Sequence, residues 1–353
     1  MRRLFRPLLL PALFALLALV ASACGDDAGS EGASASGSAP SASASDTDGV
    51  DAGGDSDAAE QSEPAAPEAQ ALQAVDQRGV EVALDEAPVR VVSVWDSVDA
   101  QNLLALGIEP VLIGRVSGGR PAPWVDDYAG IETYDLGAGP SVELLATYEP
   151  DLIVTASYDP ESYPLLEGVA PLYVADNSIP WRDELRNLAR LVGRADEAEA
   201  LIAAHEAEIA AARAALADWD GTPLLVAAVS PANELVAFTD TSPISALLGE
   251  LGLAPLVAST EGSATQSYSF ELVGELAGDA FLLVDVSGLA GGDFEVINRN
   301  FLDGPIIGTV PAAAGGVYRI SPESSAALRL VNGANLPYLL DELVTVLTGD
   351  PVQ

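Results

Sequence analysis

The stretch Ser141–Val154, SVELLATYEPDLIV, reads as a short amphipathic helix, a Pro-Asp step and an apolar strand. A close copy, SFELVGELAGDAFLLV, runs from Ser269 to Val284. Glu143 stands eight residues before Asp151 and Glu271 eight before Asp279, so both positions recur at an offset of 128. A second pair of segments precedes these. LLALGIEPVLIG and ALLGELGLAPLV align Gly107 with Gly252 and Pro110 with Pro255, at an offset of 145. Two halves of the chain therefore carry the same order of elements, the second with a shorter loop between its two segments. Such a duplication predicts two α/β lobes with a cleft between them.

Working outward, VDQRGVEVALDEAPVRVVSV from Val75 predicts a hairpin turning at Arg78-Gly79 and then a strand from Val89 to Val94. In DSVDAQNLLALGIEP, Asp96 or Ser97 can cap a helix that Gly107 ends, and VLIG follows as a strand. Apolar strands alternating with helices point to a parallel sheet covered on both faces. The segment Trp181–Trp219 is Ala-rich and poor in β-branched residues, with Gly193 as its break, and predicts a short helix followed by a long one. After Pro223, LLVAAVS is a strand, ISALLGELGLAPLV a helix and strand, and the second opening segment again a helix and strand. The fold class is thus α/β: two similar lobes with central parallel sheets, 74–180 and 220–350, joined by a long helix over 181–219.

The amino terminus has a different character. Arg2, Arg3 and Arg6 precede an apolar run that starts at Leu8 and ends in small residues, so residues 1–23 read as an export signal. An uncleaved signal anchor is the alternative. Cys24, the single cysteine, directly follows Ala21-Ser22-Ala23; it excludes an intrachain disulfide and any zinc or iron–sulfur site built from cysteines. Residues 24–73 are dominated by Ala, Ser, Gly, Asp and Glu with no aromatic side chain, the composition of a solvated tether. The chain carries fifteen arginines and no lysine, and its formal net charge is −38. That charge repels phosphate backbones and argues against a nucleic-acid partner.

The ordered set VDQRGVEVALDEAPVRVVSV, LLALGIEPVLIG, SVELLATYEPDLIV, the linking helix after Trp181, SFELVGELAGDAFLLVD and GGVYRIS resembles the solute-binding lipoproteins of ABC importers, in the class that handles ferric siderophores, cobalamin and haem. The likeness runs from about Val75 to Leu347. It implies a lipid anchor at Cys24, a place on the outer face of the cytoplasmic membrane, a permease with cytoplasmic ATPases as partner, and a monomer with no catalytic residue. Ala21 departs from the leucine usual in the lipobox. The resemblance also implies that Glu143 and Glu271, one per lobe, meet arginines of the permease. A carboxylate in a helix's first turn is favoured by the helix dipole, and an Arg fork can grip it with two hydrogen bonds. Equally, each Glu can serve only its own helix.

The ligand is expected against loops at the carboxyl ends of the strands. Trp95, Arg115, Arg120, Tyr158, Trp181, Arg182, Arg299 and Arg329 are the candidate contacts, with Asp96, Ser157, Thr239–Ser242, Asp285, Ser287 and Asn298–Asn300 beside them. Aromatic surface with several arginines suits an anionic, partly aromatic ligand, which a ferric siderophore is. Its iron arrives already coordinated, so no cofactor and no protein metal ligand are expected. Arg182 can instead pair with Glu184 or its neighbours, and Trp95 and Tyr158 can be wall-packing aromatics; Trp124 and Trp219 read as packing residues. His205, the one histidine, reads as a helix-surface residue and cannot supply a bare divalent cation's ligand set. Haem with Tyr158, Tyr163 or Tyr268 as iron ligand, or cobalamin, remain alternatives. From other classes stand a lipid-tethered adhesion module and an exported hydrolase; the latter lacks a G-x-S-x-G elbow and has only His205 as a base.

Overall fold

Short runs such as Leu152–Ala156, LIVTA, are buried at every position, which only a strand covered on both faces achieves. The structure, a computed structural model, describes residues 72–115, 122–125, 128–156, 160–285 and 292–353. Cys24, the export signal and nearly all of the tether lie outside the described residues, as do Arg120, Ser157, Tyr158 and Ser287. No helix among the described residues is long and apolar enough to cross a membrane.

The first lobe opens with an antiparallel hairpin, β1 (Leu72–Val75) and β2 (Glu81–Leu84). Then follow β3 (Val91–Ser93), α1 (Val98–Ala105), β4 (Leu112–Arg115), β5 (Thr133–Asp135), α2 (Val142–Thr147), β6 (Leu152–Ala156), α3 (Tyr163–Glu167) and β7 (Leu172–Ala175). Strands β5-β4-β3-β6-β7 form a parallel sheet in that order. Two helices link the lobes: α4 (Trp181–Leu191) and, beyond Gly193, α5 (Ala195–Ala215). Helix α5 has 21 residues, which at the standard rise makes it about 31 Å long. Its amino-terminal half, through Ala198 and Ile202, completes the first lobe's core, and its carboxyl-terminal half, through Ile209 and Ala212, with Leu216 just past its end, completes the second's.

The second lobe comprises β8 (Pro223–Ser230), β9 (Glu234–Phe238), α6 (Pro243–Glu250), β10 (Ala254–Pro255), β11 (Thr265–Ser269), β12 (Ala280–Leu283), α7 (Gly292–Leu302), β13 (Val317–Arg319), α8 (Pro322–Arg329) and α9 (Leu336–Thr348). Its sheet runs β11-β9-β8-β12-β13, with β10 beside β8.

The duplication is physical. Gly107 and Gly252 end α1 and α6 with φ of +75° and +92°, the left-handed region that a side chain disfavours. The Asp151 N–H donates to Arg90 O and the Asp279 N–H to Pro223 O, so both Asp residues begin their strands in the same way.

Two departures separate the halves. The second sheet is mixed: β8 and β9 pair antiparallel, as do β9 and β11, so a hairpin arm replaces the uniformly parallel sheet expected. And the second opening segment holds only a 3-10 turn, Val273–Glu275, where the first holds α2. Gly274 stands where the first copy has Ala146, and Gly278 where it has Pro150. A glycine in place of alanine costs a helix roughly 1 kcal/mol, which so short a segment cannot recover.

Candidate functional site

The carboxyl ends of β3 and β4 carry Trp95, Asp96 and Arg115. Gly114 allows this: a Cβ there would lie 2.0 Å from Val94 O and 2.8 Å from the Tyr134 ring. With hydrogen in its place, β4 sits close against β3 and Tyr134 closes over it, donating from its hydroxyl to Val94 O at 3.3 Å. Arg115 then reaches Asp96, Nε to Oδ2 at 3.3 Å, and its guanidinium lies 5.5 Å from the Tyr128 ring centroid. The Tyr128 hydroxyl donates to Asp96 O at 2.5 Å. Burial raises the Asp96 carboxyl above its usual range, with Arg115 opposing the shift. Trp95 packs partly buried against the first lobe's core, and its N–H donates to Asp99 Oδ2 at 3.1 Å. Asp99 is fully buried, its Oδ1 has no partner, and burial pushes its carboxyl up to about 7.

The lobes meet along a buried polar seam. Gln101 on α1 donates through Nε2 to Asp96 O at 3.2 Å, while its Oε1 accepts from Asn332 Nδ2 at 2.8 Å and from Trp124 Nε1 at 2.9 Å. Asn102 Oδ1 accepts from the Gly333 N–H at 3.0 Å, and Gly333 O lies 2.8 Å from His205 Nε2. Trp124, from the first lobe, packs against Tyr338 on α9 of the second, with ring centroids 5.3 Å apart. The seam joins the loop that holds Asp96 to the loop that follows Arg329, three residues before Asn332.

Arg329 ends α8, is half-buried, and pairs with no acid, carbonyl or ring among the described residues; desolvation alone lowers its affinity for the proton. A partly desolvated guanidinium without a counter-charge is unfavourable, and among the described residues it is a feature that asks for an anion from outside. Arg319, at the end of β13, is instead held by Asp285, whose carboxylate is wholly buried. The Asp285 N–H in turn donates to Ser325 Oγ at 2.7 Å.

The remaining candidates separate. Arg182 is engaged by Glu250 through two contacts, 3.1 and 2.8 Å, and by Glu206 at 3.3 Å, and it lies over the Trp181 ring; it ties the linking helices to α6. Trp181 packs between the cores of both lobes, edge-on to His205 at 5.6 Å, with its Nε1 buried and unpartnered. His205 is 4% exposed, bonded at Nδ1 to Glu208 as well as to Gly333, which corrects its reading as a helix-surface residue. Thr239 and Ser242 serve the chain itself: Thr239 Oγ1 donates to Ser263 O, and Ser242 caps α6. Arg299 and Asn300 on α7 are exposed, whereas Asn298 beside them is fully buried with both amide atoms unpartnered. Tyr163 is buried in the first lobe beneath Arg78, and Tyr268 lies on β11, the outermost strand of the second sheet. Trp219 packs, its Nε1 donating to Leu347 O at 2.9 Å. No group of acidic, His or Cys side chains suited to a metal ion occurs among the described residues.

Glu143 is exposed in the first turn of α2, which Ser141 caps by accepting from the Leu144 N–H. Glu271 is exposed as well, but in the turn before the 3-10 segment rather than on an α-helix, beside the half-exposed Leu272. The dipole argument therefore applies to Glu143 alone.

Sequence reasoning missed Arg319, Gln101, Asn102 and Asn332. Arg319 lies in GGVYRIS and was reachable by the strand-end rule that found Arg115. The seam residues carry no local signal, since Gln101 and Asn332 are 231 positions apart.

A curated relative, the probable siderophore-binding lipoprotein YfiY of Bacillus subtilis (strain 168), is 30% identical over 171 residues, 47% of this chain and 51% of that protein. The match therefore spans about half of that relative's length. Among solved structures, a periplasmic solute-binding protein from Mycobacterium smegmatis shares the fold with a TM-score of 0.65 at 22% identity, covering 79% of this chain and 98% of that one. Staphylococcus aureus SirA, solved with staphyloferrin B, gives 0.64 at 17%, covering 78% and 98%. The petrobactin-binding protein YclQ from Bacillus subtilis gives 0.63 at 17%, covering 80% and 100%. The model of the periplasmic binding protein family matches residues 93–314, well over half of the sequence. With the duplicated lobes and their helical link in place, the chain belongs to the periplasmic binding protein family.

Proposed function

We propose that this protein captures an iron(III) siderophore between its lobes and delivers it to an ABC importer, held by a lipid on Cys24 to the outer face of the cytoplasmic membrane and working as a monomer. The observation that carries this reading is Arg329, a half-buried cation without a counter-charge among the described residues, in a chain of net −38. It adjoins the seam that also holds Asp96, and through it Arg115. An anionic, iron-filled chelate satisfies such a group by charge-assisted bonds and needs no metal ligand from the protein. The naming of YfiY as a siderophore-binding lipoprotein agrees with the charge argument. Trp95, Arg115 and Arg329 form the core of the proposed contact set, with Arg299 on α7 and with Arg120 and Tyr158, which lie outside the described residues, retained from the sequence; Arg182 and Trp181 hold the linking helices. Glu143 and Glu271, one exposed acid per lobe, dock on the permease.

Tryptophan fluorescence of the domain from Gln70, corrected for ligand absorbance and paired with a thermal shift, tests this against a ferric catecholate, a ferric hydroxamate, haem and cobalamin. Saturable binding of a ferric siderophore that Arg329→Gln or Arg115→Ala weakens is the expected result. Binding of haem or cobalamin alone would refute the charge argument, and no binding at all would favour a tethered adhesion module.

A further inference from the structure

Two of the arginines at the strand ends already have an aspartate of their own lobe, and the two holds differ in kind. Asp285 is wholly buried and grips Arg319 through two nitrogens. Asp96 meets Arg115 through a contact of 3.3 Å, long for a charged pair, with side chains 25% and 26% exposed. Other ties keep both residues in place without that contact. Tyr128 and Gln101 donate to the main-chain carbonyl of Asp96, not to its carboxylate, and the Tyr128 ring supports the Arg115 guanidinium. The Asp96 carboxylate can therefore leave Arg115 at little cost, since partly exposed pairs are weak. Desolvation already presses on that carboxylate.

Resting on the siderophore reading, we propose that Asp96 determines charge specificity: it is an internal counter-ion that balances Arg115, so that the first lobe's wall holds back multiply anionic chelates relative to neutral ones. Arg329, unbalanced, attracts any anion; the Asp96–Arg115 pair sets how much negative charge is accepted in total. Exchange of one anion for another on Arg115 gives a trianion little, because the displaced carboxylate stays close and repels it.

The test compares the affinities of an iron(III) tris-catecholate, net −3, and an iron(III) tris-hydroxamate, net zero, for the wild-type protein, Asp96→Asn, Arg115→Gln and the double variant. Asp96→Asn is expected to tighten the tris-catecholate by roughly tenfold at low salt, as for removal of one unit charge within several ångströms of a trianion near a solvated surface, and to leave the tris-hydroxamate within about twofold. Arg115→Gln should weaken the tris-catecholate by a similar factor, and Asp96→Asn on that background should restore much of it. The gain must shrink as salt rises, which a packing effect would not do. If Asp96→Asn moves both ligands by the same factor, weakens the tris-catecholate, or acts independently of salt, Asp96 is not the charge filter, although the siderophore reading stands. If the wild-type protein binds neither probe, both fail together. Should Asp96→Asn not fold, Arg115→Gln still decides: an unchanged ratio between the two ligands overturns the proposal.

Discussion

Asn332→Leu tests the interlobe seam most directly. The side chain is 1% exposed and spends all its hydrogen-bonding capacity. Its Nδ2 donates to Gln101 Oε1 and to Leu330 O at 3.0 Å, and its Oδ1 accepts from the N–H groups of Ala334, 2.9 Å, and Asn335, 3.1 Å. Leucine has similar volume and no polar atom. Gln101 Oε1 keeps Trp124 and Leu330 O keeps Asn335 Nδ2, so neither acceptor is stranded. The two N–H groups have no other acceptor among the described residues. Asn335 is 1% exposed, and its N–H bears the full desolvation penalty; Ala334 is partly exposed and bears less. At about 1 to 3 kcal/mol for a stranded buried donor, the loss should come to about 3 kcal/mol. For a folded unit of this size that corresponds to a fall in Tm of roughly 6 to 12 °C. Thermal and urea unfolding of the domain from Gln70 measure it. A fall under about 2 °C would mean that the seam is incidental to stability and that the linking helices and their packing hold the lobes.

Arg329→Gln should weaken ferric catecholate binding by roughly tenfold or more while leaving Tm unchanged or raised, because it removes an unpaired, half-buried charge; a clear fall in Tm would show that Arg329 is structural. Glu143→Ala combined with Glu271→Ala should abolish uptake into cells and leave the dissociation constant unaltered, and lost ligand affinity would place those acids in the cleft instead. Asp99 supplies a pH test. Its folded value, about 7, stands above its ordinary 3.8, so the native state binds more protons between those limits: stability from this group is complete near pH 4, falls as pH rises to about 7, and is level beyond. At about 1.4 kcal/mol per pH unit the whole effect is at most on the order of 4 kcal/mol. Glu184, raised to about 8 by burial, acts in the same direction. Asp99→Asn should flatten its share of the urea midpoint's decline between pH 5 and pH 7.5, and an unchanged slope would refute the assignment.

What could be read from the sequence was what repeats or alternates. The offsets that align Gly107 with Gly252 and Asp151 with Asp279 report backbone conformations that local chemistry dictates, and the structure shows the same turn and the same strand entry in each half. Burial on both faces made β6 and β8 legible as apolar runs. The hairpin arm of β9 and β11 was not legible, since Thr265–Ser269, TQSYS, is polar and only partly buried, and its pairing is fixed by a distant strand. The α-helix expected at Glu271 failed on Gly274, a cost visible in the sequence but outweighed there by the analogy with α2. Arg182 and His205 could not be placed, because Glu250 and Gly333 reach them only after both lobes have docked on the linking helices.

Helix α5 has a consequence for how the molecule comes together. Its residues divide between two cores, Ala198 and Ile202 in one and Ile209 and Ala212, with Leu216 just past its end, in the other, so neither half of the gene encodes a self-sufficient folding unit. A chain emerging from its amino terminus closes the first core once Ile202 is free. At that moment it has already positioned the wall on which the second sheet assembles. A proteolytic nick at Gly221, in the turn after α5, would leave the amino-terminal fragment with an apolar stripe at Ile209–Leu216 and the other fragment with a matching uncovered sheet. Fragments so divided are built to reassociate rather than to live apart.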